Sequence, residues 1–204
     1  MFALVESGTI TQFPKGNKGI TIGDNQYPQT IYTLWTEAER NAIGIYTVEI
    51  DSTNRKDEEF YVNTNITYAF GSGKVTGSYG TATAKKIADE DAVDDSGDKL
   101  KDADGNQVIN YGLKTKYKNQ FNAQAAGLLA KTDWYVIKAA DVGSYSVPSN
   151  IATYRAAVRT KVNAMETSID GCSDVAALIT LLTYTTDSEG VTSRPLGEFP
   201  DEVV

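Results

Sequence analysis

Residues 148–171 read Pro-Ser-Asn-Ile-Ala-Thr-Tyr-Arg-Ala-Ala-Val-Arg-Thr-Lys-Val-Asn-Ala-Met-Glu-Thr-Ser-Ile-Asp-Gly. Within them Ile151, Tyr154, Val158, Val162, Met165 and Ile169 recur at steps of three and four, which places them on one face of an α-helix. Ser149 stands where an N-cap is wanted and Gly171 where a helix stops. Upstream, Leu113, Tyr117, Phe121, Ala125 and Leu128 predict a second amphipathic helix ending near Lys131. Thr132-Asp133 then starts a further turn carrying Trp134, Tyr135 and Ile137. Ser173 is expected to cap a last short helix through Leu182. The tail, with Pro195 and Pro200, is expected to be extended and docked through Leu196 and Phe199.

Before residue 89 the period changes. Residues 2–5, 9–13, 19–23, 45–50, 59–63, 66–70 and 74–79 are short β-branched and aromatic runs bounded by Gly, Asn, Pro or Asp, and they read as strands. Gly71-Ser72-Gly73 reads as a hairpin turn. Thr36-Glu37-Ala38-Glu39 is a capping box, with Trp35 ahead of it as a staple residue and Gly44 at the C-terminal cap position, so one short helix interrupts the strands. The fold class expected is α+β. An antiparallel β-rich domain with one short helix (residues 1–88) precedes a helical hairpin module (111–185) and an extended tail (186–204).

Charge separates these parts. The net −8 of the 204 residues is unevenly spread, because residues 89–104 hold 2 basic against 8 acidic groups while residues 105–170 hold 8 against 4. Residues 89–110, poor in large apolar side chains, are therefore expected to be an acidic linker or solvated insert. Within them Asp102-Ala103-Asp104-Gly105-Asn106 has the alternate carboxylates of a calcium loop but the wrong register. With Gly105 in sixth place, Tyr111 falls where the bidentate Glu belongs, so a solvated turn is expected. Gly71-Ser72-Gly73-Lys74 lacks the Ser or Thr after Lys that a phosphate loop needs.

Composition removes several chemistries. There is no histidine, which deletes the imidazole bases and every His-containing triad or zinc motif. Cys172 is the only cysteine, so no intramolecular disulfide or thiolate cage can form, and a buried or incidental thiol is its expected state. The acidic balance argues against a nucleic-acid partner. No stretch is long and apolar enough for membrane insertion, and residues 1–6 lack the regions of a secretory signal, so a soluble chain made in a reducing cytoplasm is expected. No residue stands out as catalytic, cofactor-binding or metal-ligating. A glycan depolymerase acting through two carboxylates would need a pair that the sequence does not single out.

Two features of the helical region point to contacts. Ile151, Val158 and Met165 lie seven apart, as do Arg155, Val162 and Ile169, forming a short seam with a polar member. At under three heptads its expected use is packing against the preceding helix, with an oligomer's register as the alternative. Arg155, Arg159 and Lys161 also form a basic patch on an acidic protein, either self-neutralised or a docking surface.

The run Leu128-Leu129-Ala130-Lys131-Thr132-Asp133-Trp134, then Pro148 and Tyr154-Arg155-Ala156-Ala157-Val158-Arg159, resembles the bacteriophage tail assembly chaperone and tail-fibre assembly family. In that family a helix ending in Thr/Ser-Asp-Trp is followed by one with a Tyr-Arg-x-x-Leu-Arg signature. Here Val158 replaces the Leu, and Ala152-Thr153 stands where Trp is frequent. The ending Arg194-Pro195-Leu196-Gly197-Glu198-Phe199-Pro200 looks like the family's Pro- and Phe-containing ending, so the likeness spans residues 120–200. Asn25-Gln26-Tyr27-Pro28 and Tyr32-x-x-Trp35 look similar to amino-terminal domains of marine phage tail proteins.

The resemblance implies a non-enzymatic tail-fibre or baseplate component, or a tail assembly factor, made in the bacterial host cytoplasm and acting in the virion tail. Its partners would be other tail or fibre proteins, with a trimer or higher homo-oligomer as the natural assembly. Trp134, Tyr154, Arg155 and Arg159 are the partner-binding residues expected on this basis. The alternative function is recognition of a host-surface glycan by the Tyr-rich first domain.

Overall fold

Alternation in the first strand, β1 (Phe2–Glu6), sends Leu4 to one side of a sheet and Ala3 and Val5 to the other, and all three are buried. In this computed structural model, which describes residues 1–203, the chain divides into two compact units, Met1–Thr83 and a second that begins at Ala84. The first unit holds β1, β2 (Thr9–Gln12), β3 (Ile20–Ile22), β4 (Asn25–Tyr27), α1 (Ile31–Leu34), α2 (Glu37–Ala42), β5 (Ile45–Asp51), β6 (Tyr61–Val62), β7 (Thr67–Gly71) and β8 (Lys74–Ser78). A two-residue strand, β9 (Thr83–Ala84), lies at the boundary.

Five strands make the main sheet in the order β2-β1-β5-β8-β7. Pairings β1–β2, β1–β5 and β7–β8 are antiparallel, but β5 and β8 run parallel, which corrects the expectation of a wholly antiparallel sheet. The reason is the order in which the last hairpin docks. Its second strand lies against β5 and its first is left at the edge, so the inner pair shares one direction. The expected hairpin turn is present, with Ser72 and Gly73 both at positive φ. The two edge strands, β2 and β7, approach each other, and the rings of Phe13 and Tyr68 meet with centroids 4.7 Å apart, so the sheet curls upon itself.

One face of the sheet carries Leu4, Ile20, Ile31, Tyr32 and Ile45, with Phe2, Tyr27 and Trp35 packed around them. The other carries Ala3, Val5, Val48 and Val75 with Ile10, Tyr46 and Phe70. Two short helices, not one, interrupt the strands, and the second, α2, starts as its sequence predicts. The Thr36 amide donates to Glu39 Oε2 at 2.7 Å and the Glu39 amide donates to Thr36 Oγ1 at 3.3 Å.

The second unit opens on the acidic segment, which of the two readings, linker or solvated insert, takes the form of a folded and largely exposed insert. A small pair, β10 (Glu90–Asp91) with β11 (Ile109–Asn110), closes its base. Above it the Ala92 amide donates to the Val108 carbonyl at 2.8 Å, Leu100 to Ala92 at 2.9 Å and Val108 to Leu100 at 2.9 Å, a closed ring of residues eight apart. Two turns between them, Asp94-Asp95-Ser96-Gly97-Asp98 and Asp102-Ala103-Asp104-Gly105-Asn106, are built alike, and Asp187-Ser188-Glu189-Gly190-Val191 repeats them. In each, the first Asp accepts the amides of the third and fifth residues at 2.8 to 3.0 Å. The Gly in fourth place has φ of 81 to 88°, a region open to glycine at no steric cost. The carboxylate that resembled a calcium ligand is thus an acceptor for its own loop, and the backbone amides hold Asp102 below the usual carboxylate range.

The same segment caps the first long helix, α3 (Leu113–Ala130). Asp89 accepts the Gly112 amide and the Thr115 hydroxyl, both at 2.8 Å, while the amides of Leu113 and Lys114 donate to the carbonyls of Lys86 and Ile87 at 3.0 Å. The amides that a helix start leaves open are satisfied by the chain just before it. Next come α4 (Asp133–Asp141), α5 (Ser149–Asp170), α6 (Val175–Leu182) and a hairpin of β12 (Thr185–Thr186) and β13 (Thr192–Ser193) that the sequence reading leaves inside the module and tail.

Helices α3 and α5 lie antiparallel. Lys118 Nζ pairs with Asp170 Oδ1 at 2.8 Å and Asn122 Nδ2 with Glu166 Oε1 at 2.6 Å, while Arg155 reaches Leu129 near the other end. Of the faces predicted for them, Leu113, Tyr117, Phe121 and Ala125 on α3 and all six periodic residues on α5 are buried, while Leu128 at the end of the α3 stripe is half-buried. Pro148, not Ser149, occupies the N-cap of α5, and Asp174, not Ser173, caps α6 by accepting the Ala177 amide at 2.8 Å. Burial pushes the Cys172 thiol up, consistent with the thiol expected there. The tail docks through Leu196, whose amide donates to the Leu181 carbonyl at 3.1 Å and whose carbonyl accepts Lys161 Nζ at 2.7 Å.

Phe121 is among the largest fully buried side chains, so Phe121→Ala is expected to lower unfolding free energy by about 3 to 5 kcal/mol, measured by urea denaturation. Asp174 has its folded pKa lowered, chiefly by the Ala177 amide, so its cap stabilises the protein above the ordinary carboxylate range and is lost as pH falls below it. The difference in melting temperature between the wild type and Asp174→Asn is therefore expected at pH 7 and should shrink below about pH 4.

Candidate functional site

Four residues, Trp134, Tyr154, Arg155 and Arg159, carry the expectation of a contact surface, and the fold separates them. Arg155 is only 7% exposed. Its Nη1 donates to the Leu129 carbonyl at 2.8 Å and to Thr132 Oγ1 at 2.7 Å, and its Nη2 pairs with Asp133 Oδ1 at 2.7 Å. Thr132, itself buried, donates its hydroxyl to the same Leu129 carbonyl at 3.0 Å. The guanidinium therefore joins the carbonyl end of α3 to the first residue of α4, where a fixed fork of donors suits three acceptors in different directions. Thr132-Asp133 and Tyr154-Arg155, the two halves of the motif, meet here.

Tyr154 is 6% exposed and its hydroxyl has no hydrogen-bond partner among the described residues, while desolvation raises its pKa. Neither Tyr154 nor Arg155 is presented to a partner in this fold, which corrects their reading as contact residues. Helical spacing places both on the buried face of α5, and the charge of Arg155 is neutralised from within. The basic patch dissolves in the same way, since Lys161 is spent on the Leu196 carbonyl and Arg159 alone is left exposed, with a weak 3.5 Å contact to the Arg155 carbonyl.

Trp134 stands apart from the other three. It follows Asp133 on α4, and α4 has no buried residue along its length. Trp134 is 51% exposed and Ile137 61%, with Val136 and Val142 also exposed. The Trp134 ring lies on Tyr135, centroids 3.9 Å apart, and Lys138 Nζ sits 5.6 Å from the Trp134 ring and 4.3 Å from the Tyr145 ring. Cation and rings hold one another in place, so the indole is preorganised as well as exposed. Trp134 falls just after a helix start, as the sequence predicts, but nothing in the sequence signals that α4 buries none of its residues fully. Its nine residues carry apolar side chains on neighbouring positions 134 to 137, without the spacing that marks a single buried stripe.

Arg194, which the sequence shows only as part of the tail's ending, is a polar anchor. Its guanidinium lies 5.3 Å from the Phe121 ring and 4.9 Å from the Tyr184 ring, and Nε pairs with Glu198 Oε1 at 2.8 Å. It ties the tail to the helices. Among the described residues no three Cys, Asp or Glu side chains converge to hold a metal ion, and no helix is long and apolar enough to cross a membrane. No protein-family model, curated protein or solved structure matches the chain.

Removing the Arg155 side chain takes a charged donor from the Leu129 carbonyl, the Thr132 hydroxyl and the Asp133 carboxylate, leaving the first two only the bond between them. Arg155→Ala is expected to cost about 2 to 3 kcal/mol by chemical denaturation, and Arg159→Ala less than about 0.5 kcal/mol. Arg155→Lys should fall between wild type and Ala, because an ammonium cannot reach all three acceptors.

Proposed function

We propose that this chain is a non-enzymatic bacteriophage tail protein, a tail-fibre or baseplate component or a tail assembly factor, that acts through protein–protein contacts made by the exposed face of α4. The observation that carries the contact reading is that a nine-residue helix bearing Trp, Tyr, Val and Ile buries none of them. Tryptophan brings the largest contact area of any side chain and dominates the energetics of interfaces when it enters a partner's pocket. The tail assignment rests on the likeness of residues 120–200 to that family, and the meeting of Thr132-Asp133 with Arg155 supports it by giving both halves of the motif one purpose. In this reading the motif keeps α3, α4 and α5 in register so that Trp134 is held outward. The partners are other tail or fibre subunits, the protein is made in the host cytoplasm, and its place is the virion tail.

Mass spectrometry of purified virions tests the assignment. Stoichiometric copies mark a structural part, presence in lysate and absence from virions marks an assembly factor, and absence of any association with tail proteins in infected cells overturns the proposal. Trp134→Ala and Ile137→Asp should leave the melting temperature near wild type, because surface positions change stability by less than about 0.5 kcal/mol. The same variants should reduce co-purification of the tail partner about tenfold or more.

A further inference from the structure

The first unit has a cleft of about 400 Å³ lined by Gln12, Phe13, Lys15, Asn17, Lys18 and Tyr32 along with Pro14, Gly19 and Ile20. Its wall is the loop 13–19 between β2 and β3. The loop is pressed onto the core at Gly16, which has φ of 73° and where a Cβ would lie 3.3 Å from the Phe2 ring and 3.6 Å from the Tyr32 ring. A side chain there would push the loop outward, so the sequence keeps the cleft's wall in place with a residue that has none.

The chemistry of the lining is mixed in a particular way. Lys15 and Lys18 are exposed, and neither makes an ion pair among the described residues, although the chain carries an excess of acidic groups that could have neutralised them. Gln12 and Asn17 add amide donors and acceptors. Phe13 is exposed and held by its contact with Tyr68, which offers an aromatic surface. Tyr32 is 7% exposed, and its hydroxyl is shut off from solvent with no hydrogen-bond partner among the described residues.

Two unpaired ammonium groups select an anion, two amides suit hydroxyl groups, and an aromatic wall suits the flat C–H face of a ring. The volume is that of one or two sugar residues. Two lysines without an arginine fork fit a single carboxylate better than a polyphosphate, which needs a denser set of donors. We infer that the cleft binds a carboxylate-bearing saccharide, with Lys15 and Lys18 on the carboxylate, Gln12 and Asn17 on ring hydroxyls and Phe13 against the ring. The inference rests on the glycan expectation for the first unit and is independent of the contact surface on α4, so either can fail without the other.

Titration of the full chain with trigalacturonic acid, followed by calorimetry and by amide chemical shifts, tests it, with maltotriose and inorganic phosphate as the other probes. The acidic trisaccharide should bind saturably and shift amides of residues 12–20 and 32, at least about tenfold more tightly than the neutral one. Lys15→Gln with Lys18→Gln should weaken it about tenfold or more. No saturable binding, equal binding of maltotriose, or competition by phosphate as strong as by the sugar overturns the inference. So does affinity indifferent to the double lysine substitution. Virion association of the Lys15→Gln, Lys18→Gln chain should be that of wild type, which separates this test from that of the tail assignment.

Discussion

A guanidinium taken out of water has to find acceptors in several directions at once, and in the second unit Arg155 finds three: the Leu129 carbonyl, the Thr132 hydroxyl and the Asp133 carboxylate. That requirement sets where α3 ends, where α4 begins and how far α5 may slide along α3. The carbonyl of Leu129 belongs to the last turn of α3, where helix carbonyls lack partners and a positive charge is stabilised. Asp133 opens α4, where a carboxylate is stabilised for the opposite reason. Arg155 thus serves one helix at its negative end and a carboxylate at the positive end of another. Phe121 on α3 and Met165 on α5 are both fully buried between ends that these polar contacts tie.

The rest of that unit is tied by the same economy of donors and acceptors. Residues 86–89 supply the acceptors for the start of α3, and Arg194 and Leu196 bring the tail back over α3 and α6. The helical part of this arrangement was legible because its chemistry repeats at helical spacing, and every periodic residue named on α5 is buried. Capping was legible where it is local. The reciprocal bonds of Thr36 and Glu39 need three residues of sequence and nothing else.

Legibility failed where a charged side chain had two readings with the same pattern. Arg155 on a helix face looks alike whether it meets solvent or a neighbouring helix end, and its neighbours at 129–133 become relevant only after a turn that the sequence does not measure. The acidic segment left linker and solvated insert open for a related reason. Like charge and few large apolar residues are the marks of a solvated linker. Here the carboxylates of Asp94 and Asp102 accept the amides of their own turns, and Ala92, Leu100 and Val108 close a ring of backbone hydrogen bonds. A period of eight with Asp and Gly at fixed places was present in the letters, at a length below that of the repeats usually sought.

By itself the sequence determined a strand-rich first part ahead of a helical second, the buried faces of α3 and α5, the short capped helix and the exclusion of imidazole chemistry and of an intramolecular disulfide. Each of these follows from spacing over a few residues or from composition. Only the tertiary structure decided the parallel pairing of β5 with β8, the burial of Tyr154 and Arg155, the exposure of Trp134 and the cleft around Tyr32. These depend on which surfaces meet across twenty or more residues of intervening chain. There the free energy is set by mutual satisfaction of distant donors, acceptors and apolar faces, and no single segment contains the information to settle it.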